Sequence, residues 1–550
     1  MAQPQGVITE TIPNPDSNNV KSGNYDNSEL HNALKIALRN NYIVVNNKKF
    51  SSSPLLNKFY KSRNYDLAWF KKNLKPRKEL FTYLKVLQNS KSEGLDPNSY
   101  YLDNIETNIN DLKHLDVNDL KRRVVQVDLL VSDSNLLYFN DLLFGRYNFS
   151  NNFMEQNYSE PYIDLVTVTN TAITKNNFQQ AVNSLLPQSY VYNSLKKSLV
   201  KYQKIQENGG WQTVPSGKTL KVGMNNSRIV FLKHRLHATG DLTPDSNQST
   251  EQYLNSQLFD NNLDNAVKNF QRRHGLNEDG EVGKNTVAAL NIPIDQKIDS
   301  IMINMDIWRK LPQNLGNKYV LVNVPAFKLF GVENNTTSIE MRVIVGRLDW
   351  NTPIFSEYME YVVINPYWNI PSSIFEDEIL PELRKDPEYL QKKKIQVVSL
   401  ETARVQKNYS ENWSDVNPNN FNYRLRQVPG AANPLGRLKF ILPNKHSVYL
   451  HDTPDKKLFS RSNRRFSHGC IRVEKPLQLA EFVFNENDDW NANRVQSEID
   501  TGASKNVYLK QPIPVHIMYF TVWIENDDSV HFRNDVYNFL STTSNINNTI

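Results

Sequence analysis

Ser467-His468-Gly469-Cys470-Ile471-Arg472 holds the only cysteine in a chain of 550 residues. A second histidine stands upstream, in Ser447-Val448-Tyr449-Leu450-His451-Asp452. That segment alternates, which predicts a half-buried strand with Val448 and Leu450 facing a core and Tyr449 and His451 facing a groove. A thiol becomes a good nucleophile near neutral pH when a base, a cation or a helix start lowers its pKa from about 8.5. His451 is the candidate base, Arg461, Arg464 and Arg465 supply positive charge, and Gly469 lets the backbone approach a substrate oxygen. Against this, a lone cysteine is more often a small buried apolar residue, and a strand histidine more often a satisfied polar one. The residue types reach a candidate thiol nucleophile and stop there.

A chain of this length divides into several domains with real cores. Lys+Arg 64 against Asp+Glu 58 gives a net charge of +6, spread along the chain. That argues against a nucleic-acid protein and leans weakly toward an anionic partner such as cell-wall polymer. One cysteine excludes an intrachain disulfide and leaves the compartment open. The start, Met1 to Gln5, has no basic or apolar signal region. No apolar run reaches the roughly 18 to 20 residues of a spanning helix.

Residues 1–27, rich in Asn, Ser, Pro and Gly, read as a flexible leader. Residues 28–219 read as a helical domain without an acid–base constellation. Apolar residues recur at helical spacing from Leu30, with further segments around Pro54–Tyr60, Lys78–Ser90, Asp119–Ser132 and Phe178–Tyr202. Residues 220–292 read as three short helices, lined by Ile229, Leu232 and Leu236, then Leu263, Ala266, Val267 and Phe270, then Thr286, Val287 and Leu290. Past Pro293 the period changes to two, predicting a mainly β domain over 293–540. Its strands are expected at Tyr319–Val324, Ile339–Val345, Met359–Ile364, Arg437–Leu442 and Val507–Ile524, with a hairpin turn at Asn334-Asn335 and a helix around Leu479. The β pattern breaks over 372–428, predicting a helical and loop insertion that is either a lid over the groove or a structural excursion. Residues 541–550 read as a frayed tail.

His451, fifteen intervening residues, and then Ser467-His468-Gly469-Cys470 closed by Arg472 resembles the signature of the L,D-transpeptidases with a YkuD-type catalytic domain, the cysteine enzymes that cross-link peptidoglycan. Asn365-Pro366-Tyr367-Trp368, Ile370-Pro371 and Asn433-Pro434-Leu435-Gly436 resemble further parts of that domain. Lys58-Phe59-Tyr60, Arg63, Tyr65 and Ala68-Trp69 resemble the scaffold domain of its large multi-domain members. Ala266 to Gln271, His274-Gly275-Leu276, Asp279-Gly280 and Gly283 resemble the three-helix peptidoglycan-binding module, which either binds wall or merely packs against its neighbours.

The resemblance implies a β-sandwich catalytic domain in which Cys470 attacks the carbonyl of the third stem residue, with diaminopimelate the implied residue. D-alanine leaves, and the acyl group passes to an acceptor amine. His451 is then the base, and the N–H groups of Gly469 and Cys470 are the expected oxyanion donors. Ser467 or a backbone carbonyl orients His451. Tyr449 lines the groove or helps the oxyanion site, and His468 assists. Arg472 holds a stem carboxylate or anchors its loop, and Trp368 walls the groove or packs in a core. No cofactor or metal is implied. The expected partners are donor and acceptor stem peptides, with carbapenem-type β-lactams as covalent inhibitors; a monomer in the periplasm is implied, its signal or anchor trimmed away. The competing readings are an L,D-carboxypeptidase using water and a catalytically silent wall-binding protein.

Overall fold

The computed structural model describes residues 27–540, except 40–43, 46–47, 50–51, 148–162, 245–248, 313–314, 387, 407–408, 410–411, 419–420, 486–488 and 526. The expected leader (but for residue 27) and the expected tail lie outside the described residues. Among those described, no helix is long and apolar enough to cross a membrane.

The N-terminal half is helical and built around the 28-residue helix Val117–Phe144. Asp116 caps it by accepting the Asn118 and Asp119 N–H groups, both at 3.0 Å, satisfying donors that a helix start leaves unpaired. The helix is buried on several sides, so it also carries buried polar groups, which need partners. Asp128 is the clearest case. Its carboxylate accepts the Tyr60 hydroxyl at 2.6 Å and the Ala68 and Trp69 N–H groups at 3.0 and 2.8 Å. Tyr60, Ala68 and Trp69 of the scaffold-like motif thus converge on one buried acid. The stretch Phe178–Tyr202 is two helices, Phe178–Leu185 and Tyr190–Glu207. Pro187 separates them, because a helix cannot continue through its missing N–H.

The small module packs helices Arg228–Thr239, Asn261–Arg273 and Lys284–Leu290 around its own apolar cluster. Gln271 ties its turn together, donating to the Glu281 carbonyl at 2.9 Å and accepting the Gly280 N–H at 2.9 Å. The module is pinned to the C-terminal hairpin by exchanged arginine contacts. Arg273 donates to the Val530 carbonyl at 2.7 Å, and Arg533 donates back to the Arg273 carbonyl at 2.9 Å. Gly275 (φ 66°) leaves room for this, since a Cβ there would lie 2.6 Å from Arg533.

Residues after Pro293 begin with a helix, Ile294–Arg309, where β structure was expected. Ile298, Ile301, Met305 and Trp308 recur at helical spacing and are buried in the main core, against the scaffold helix Tyr190–Glu207. The helix also closes the long scaffold helix: the Asp306 carboxylate accepts the Arg146 and Tyr147 N–H groups at 2.7 and 3.0 Å.

The β domain holds a nine-stranded sheet. Its strands are β1 (Lys318–Asn323), β2 (Lys328–Glu333), β3 (Thr336–Gly346), β4 (Phe355–Ile364), β5 (Leu438–Ile441), β6 (Leu450–His451), β7 (Arg465–Ser467), β8 (Ile471–Val473) and β9 (Lys505–Met518). Their order is β7-β3-β8-β6-β5-β4-β9-β1-β2, and β2 also pairs with β3, so the sheet closes on itself. Asn334 and Asn335, with φ of 51° and 62°, make the two-residue turn between β2 and β3, the positive-φ turn that suits strand twist. Strand β2 was not expected, because Gly331 interrupts its alternation. β9 is central, between β4 and β1, but the chain leaves the sheet after Met518, and Val522–Ile524 pairs with Val530–Phe532 instead. The helix after the cysteine is Pro476–Phe484.

The 372–428 insertion contains more than helix and loop. Ile395–Ser399 and Tyr423–Gln427 pair with each other and with Trp368–Asn369 in a three-stranded sheet over a separate apolar cluster. Trp368 packs partly buried against that cluster, the packing alternative to a groove wall.

Candidate active site

β6 and β8 run parallel, with Leu450 opposite Ile471 and His451 opposite Arg472. The Ile471 N–H donates to the Tyr449 carbonyl at 3.1 Å, which carries the register back to Cys470. Paired residues share a face and successive residues alternate. Leu450 and Ile471 are therefore buried in the core, and Tyr449, His451, Cys470 and Arg472 share the outer face. The alternation expected for 447–452 holds.

The Cys470 sulfur donates to the Ser447 carbonyl at 3.9 Å and accepts from both the Tyr449 N–H and its hydroxyl. Burial pushes the thiol pKa up, outweighing these bonds and the positive charge of Lys439 and Arg472. His451 is 5% exposed. Its Nδ1 lies 2.6 Å from the Asp452 carbonyl. A carbonyl only accepts, so Nδ1 carries the proton and Nε2 is left as the basic nitrogen. Burial first, then the Arg472 and Lys439 charges, lower the imidazole pKa to about 3. The pair therefore rests as neutral thiol and neutral imidazole. No hydrogen bond joins them directly among the described residues, and Tyr449 touches both, its ring meeting that of His451 edge-on at 5.6 Å.

Ser467 does not reach His451. Its hydroxyl donates to the Cys470 carbonyl at 2.5 Å and accepts the Gly469 N–H at 3.2 Å. The carbonyl alternative, from Asp452, orients the imidazole instead. Of the two expected oxyanion donors, the Gly469 N–H is engaged by Ser467, while the Cys470 N–H has no partner among the described residues. Gly469 has a φ of 108°, a region costly for other residues. Its carbonyl accepts the Thr352 hydroxyl at 2.8 Å.

Asp452 organises the loop behind His451, accepting the Arg437 N–H at 2.8 Å and the Thr453 N–H at 2.7 Å. Gly436 is required beside it, since a Cβ there would lie 2.3 Å from the Asp452 carboxyl carbon. His468 points toward the insertion. Its Nε2 lies 2.8 Å from Glu378 and 2.9 Å from Arg347, and its ring meets Trp350 edge-on at 5.2 Å. Arg472 faces Asp455 at 3.5 Å, and its buried Nε has no hydrogen-bond partner among the described residues. Burial lowers its pKa, opposed by Asp455, Cys470 and Glu378.

The sequence reading missed Lys439, Thr352, Arg347 and Glu378. Lys439 lies opposite His451 on β5, with its Nζ 3.7 Å from the Tyr449 ring centroid. The alternation Leu438, Lys439, Phe440 could have found it; the others arrive from remote segments with no motif of their own. Among the described residues no group of three or more His, Cys, Asp or Glu gathers as metal ligands.

The β domain carries Cys470 and His451 on one outer face, and comparison with known proteins shows what the three parts of the chain resemble. Residues 317–493 match the L,D-transpeptidase catalytic domain, residues 54–199 the scaffold domain and residues 225–290 the putative peptidoglycan binding domain. A putative L,D-transpeptidase of Haemophilus influenzae is 34% identical over 220 residues, 40% of this chain and 44% of that protein. The match thus spans less than half of that relative's length. Among solved structures, the L,D-transpeptidase of Xylanimonas cellulosilytica is 14% identical, covering 55% of this chain and 98% of that one at a TM-score of 0.17. The Ldtfm–avibactam carbamoyl enzyme is 10% identical, covering 59% and 98% at 0.17. At those scores the solved structures carry no argument. Residues 317–493 are thus similar to the L,D-transpeptidase catalytic domain, in one chain with segments similar to scaffold and peptidoglycan binding domains.

Proposed function

We propose that the protein is a peptidoglycan L,D-transpeptidase of the cell envelope with Cys470 as nucleophile. The supporting observation is the shared outer face of Cys470, Tyr449, His451 and Arg472, with His451 held so that its basic nitrogen is available. Because thiol and imidazole are both neutral at rest, the proton moves during attack rather than before it. As sulfur bonds to the carbonyl carbon of the third stem residue, the thiol proton passes to His451 Nε2. The bond to D-alanine breaks, the same proton goes to its leaving amine, and a thioester remains. An acceptor side-chain amine then attacks the thioester, gives its proton to His451, and expels the sulfur, which recovers that proton.

The Cys470 N–H is the oxyanion donor, with the Tyr449 hydroxyl beside it; one such donor is typically worth about 3 kcal/mol. Arg472, with an unpaired Nε, is suited to a stem carboxylate. The Glu378 contact to His468 brings the insertion against the cysteine loop, and limiting water there favours an amine over hydrolysis.

Intact mass after incubation with a stem tetrapeptide tests the reading. The expected result is an adduct of the peptide minus D-alanine on the wild-type chain and none on Cys470→Ala. An added amine acceptor should convert the adduct to cross-linked product; release only as free tripeptide would make the protein a carboxypeptidase. Carbapenem acylation of the same residue gives an independent label, absent in Cys470→Ala.

A further inference from the structure

The outer face that carries Cys470 continues well past the thiol–imidazole pair. In register with Cys470 stand Tyr449, Ile441, Tyr361 and Tyr508, one on each successive segment from β6 to β9. Their neighbours Leu450, Phe440, Val362 and Val507 are buried in the core, so alternation turns this row outward. The row finishes on a ring pair: Tyr361 and Tyr508 have centroids 4.9 Å apart at 39°, and Tyr508 is 64% exposed. Beyond it the sheet has an edge, because β1 pairs only with Val515–Met518 of β9. An exposed ring stacked on a half-buried one, at the open end of a row that starts at Cys470, needs a reason other than core packing.

We propose that Tyr361 and Tyr508 form a saccharide-stacking subsite that holds the sugar bearing the donor stem peptide. The proposal rests on the transpeptidase reading for what occupies Cys470. Neighbouring strands are about 4.8 Å apart, which places Tyr361 roughly 14 Å and Tyr508 roughly 19 Å along the row from Cys470. A stem whose third carbonyl sits at the sulfur spans three residues and an acyl link of about one more residue's length. At roughly 3.4 Å per residue that reaches about 14 Å, the near edge of the ring pair. The chemistry agrees. An aromatic face is negative at its centre, and the C–H-lined face of a pyranose presents weakly positive hydrogens to it. Asn506, exposed on the same face of β9, offers an amide to an N-acetyl group.

The test is calorimetric binding to the full chain carrying Cys470→Ala, with stem tetrapeptide and with the same tetrapeptide on its N-acetylglucosaminyl-N-acetylmuramyl disaccharide. The glycosylated ligand should bind about tenfold tighter, the factor that ~1.4 kcal/mol represents. Adding Tyr361→Ala and Tyr508→Ala should bring the two ligands within twofold by weakening only the glycosylated one. Adding Tyr361→Phe and Tyr508→Phe should keep the preference, because the rings remain. Equal binding of both ligands by the parent, no binding by either, survival of the preference in the alanine pair, or its loss in the phenylalanine pair would each overturn the proposal. A dimer that the alanine pair dissolves would assign the face to a second copy and also overturn it. Failure of the transpeptidase reading shows separately, as no acyl adduct on the wild-type chain with either donor.

Discussion

His451 should make this domain acid-sensitive by an amount the structure sets. An imidazole in an unfolded chain titrates near 6.5, whereas burial and the neighbouring Arg472 and Lys439 hold His451 near a pKa of about 3. Between those values the unfolded chain binds a proton that the folded chain refuses, so stability falls as pH drops below 6.5 and the loss levels off below about 3. From pH 7.5 to 4.5 the linkage removes about 2–3 kcal/mol. His451→Asn keeps an amide donor for the Asp452 carbonyl and removes the titration. Urea unfolding followed by tryptophan fluorescence, in half-unit pH steps for both proteins, yields the difference between their unfolding free energies. His274, His516 and His531 are also held low, but both proteins share them and their effect cancels. The difference should shrink toward acid by those 2–3 kcal/mol. A difference that stays constant from pH 7.5 to 4.5 would refute the buried neutral imidazole, and with it the proton-in-flight mechanism.

Ser467→Ala leaves the Gly469 N–H and the Cys470 carbonyl unpaired at a site only 2% exposed, and should cost about 2–3 kcal/mol in urea unfolding. The pH dependence traced above should be unchanged in that variant; a shift would mean that Ser467 does act on His451. Glu378→Ala removes the insertion's contact with His468 and should speed iodoacetamide alkylation of Cys470 several-fold, whereas an unchanged rate would deny that the contact shields the thiol. Asp128→Ala strands the Ala68 and Trp69 N–H groups and leaves the Tyr60 hydroxyl with Ser132 alone, at 2.8 Å. It should destabilise the helical domain by about 3–5 kcal/mol, read as a lower unfolding midpoint by circular dichroism.

The site was legible where its determinants are local. Alternation from Val448 to His451 fixes which side chains share a face, and the parallel pairing with β8 needs only that alternation to bring Cys470 beside Tyr449. What could not be read came from chain distance. Thr352 and Arg347 lie more than a hundred residues before the cysteine loop, and Glu378 reaches it only because the insertion folds back. Ser467 stayed open for a different reason: a hydroxyl beside a histidine motif suits either a histidine or a turn, and only the fold shows that the turn claims it. Nothing in the sequence around Asp128 announces that Tyr60, Ala68 and Trp69 all bond to it. Helix Ile294–Arg309 carried a readable 3.6-residue repeat. The strong β signal that follows obscured it.

The exchanged arginines at the junction of module and hairpin bear on how such a molecule would work on a polymer. Arg273 and Arg533 each reach across to a carbonyl of the other segment, and neither bond can be made if the module pivots away. A module fastened in this manner is held at one distance and one angle to the β domain rather than on a loose link. On the transpeptidase reading proposed above, a strand resting on the module would meet Cys470 at one stand-off, and the protein's own dimensions would gauge the spacing of successive cross-links.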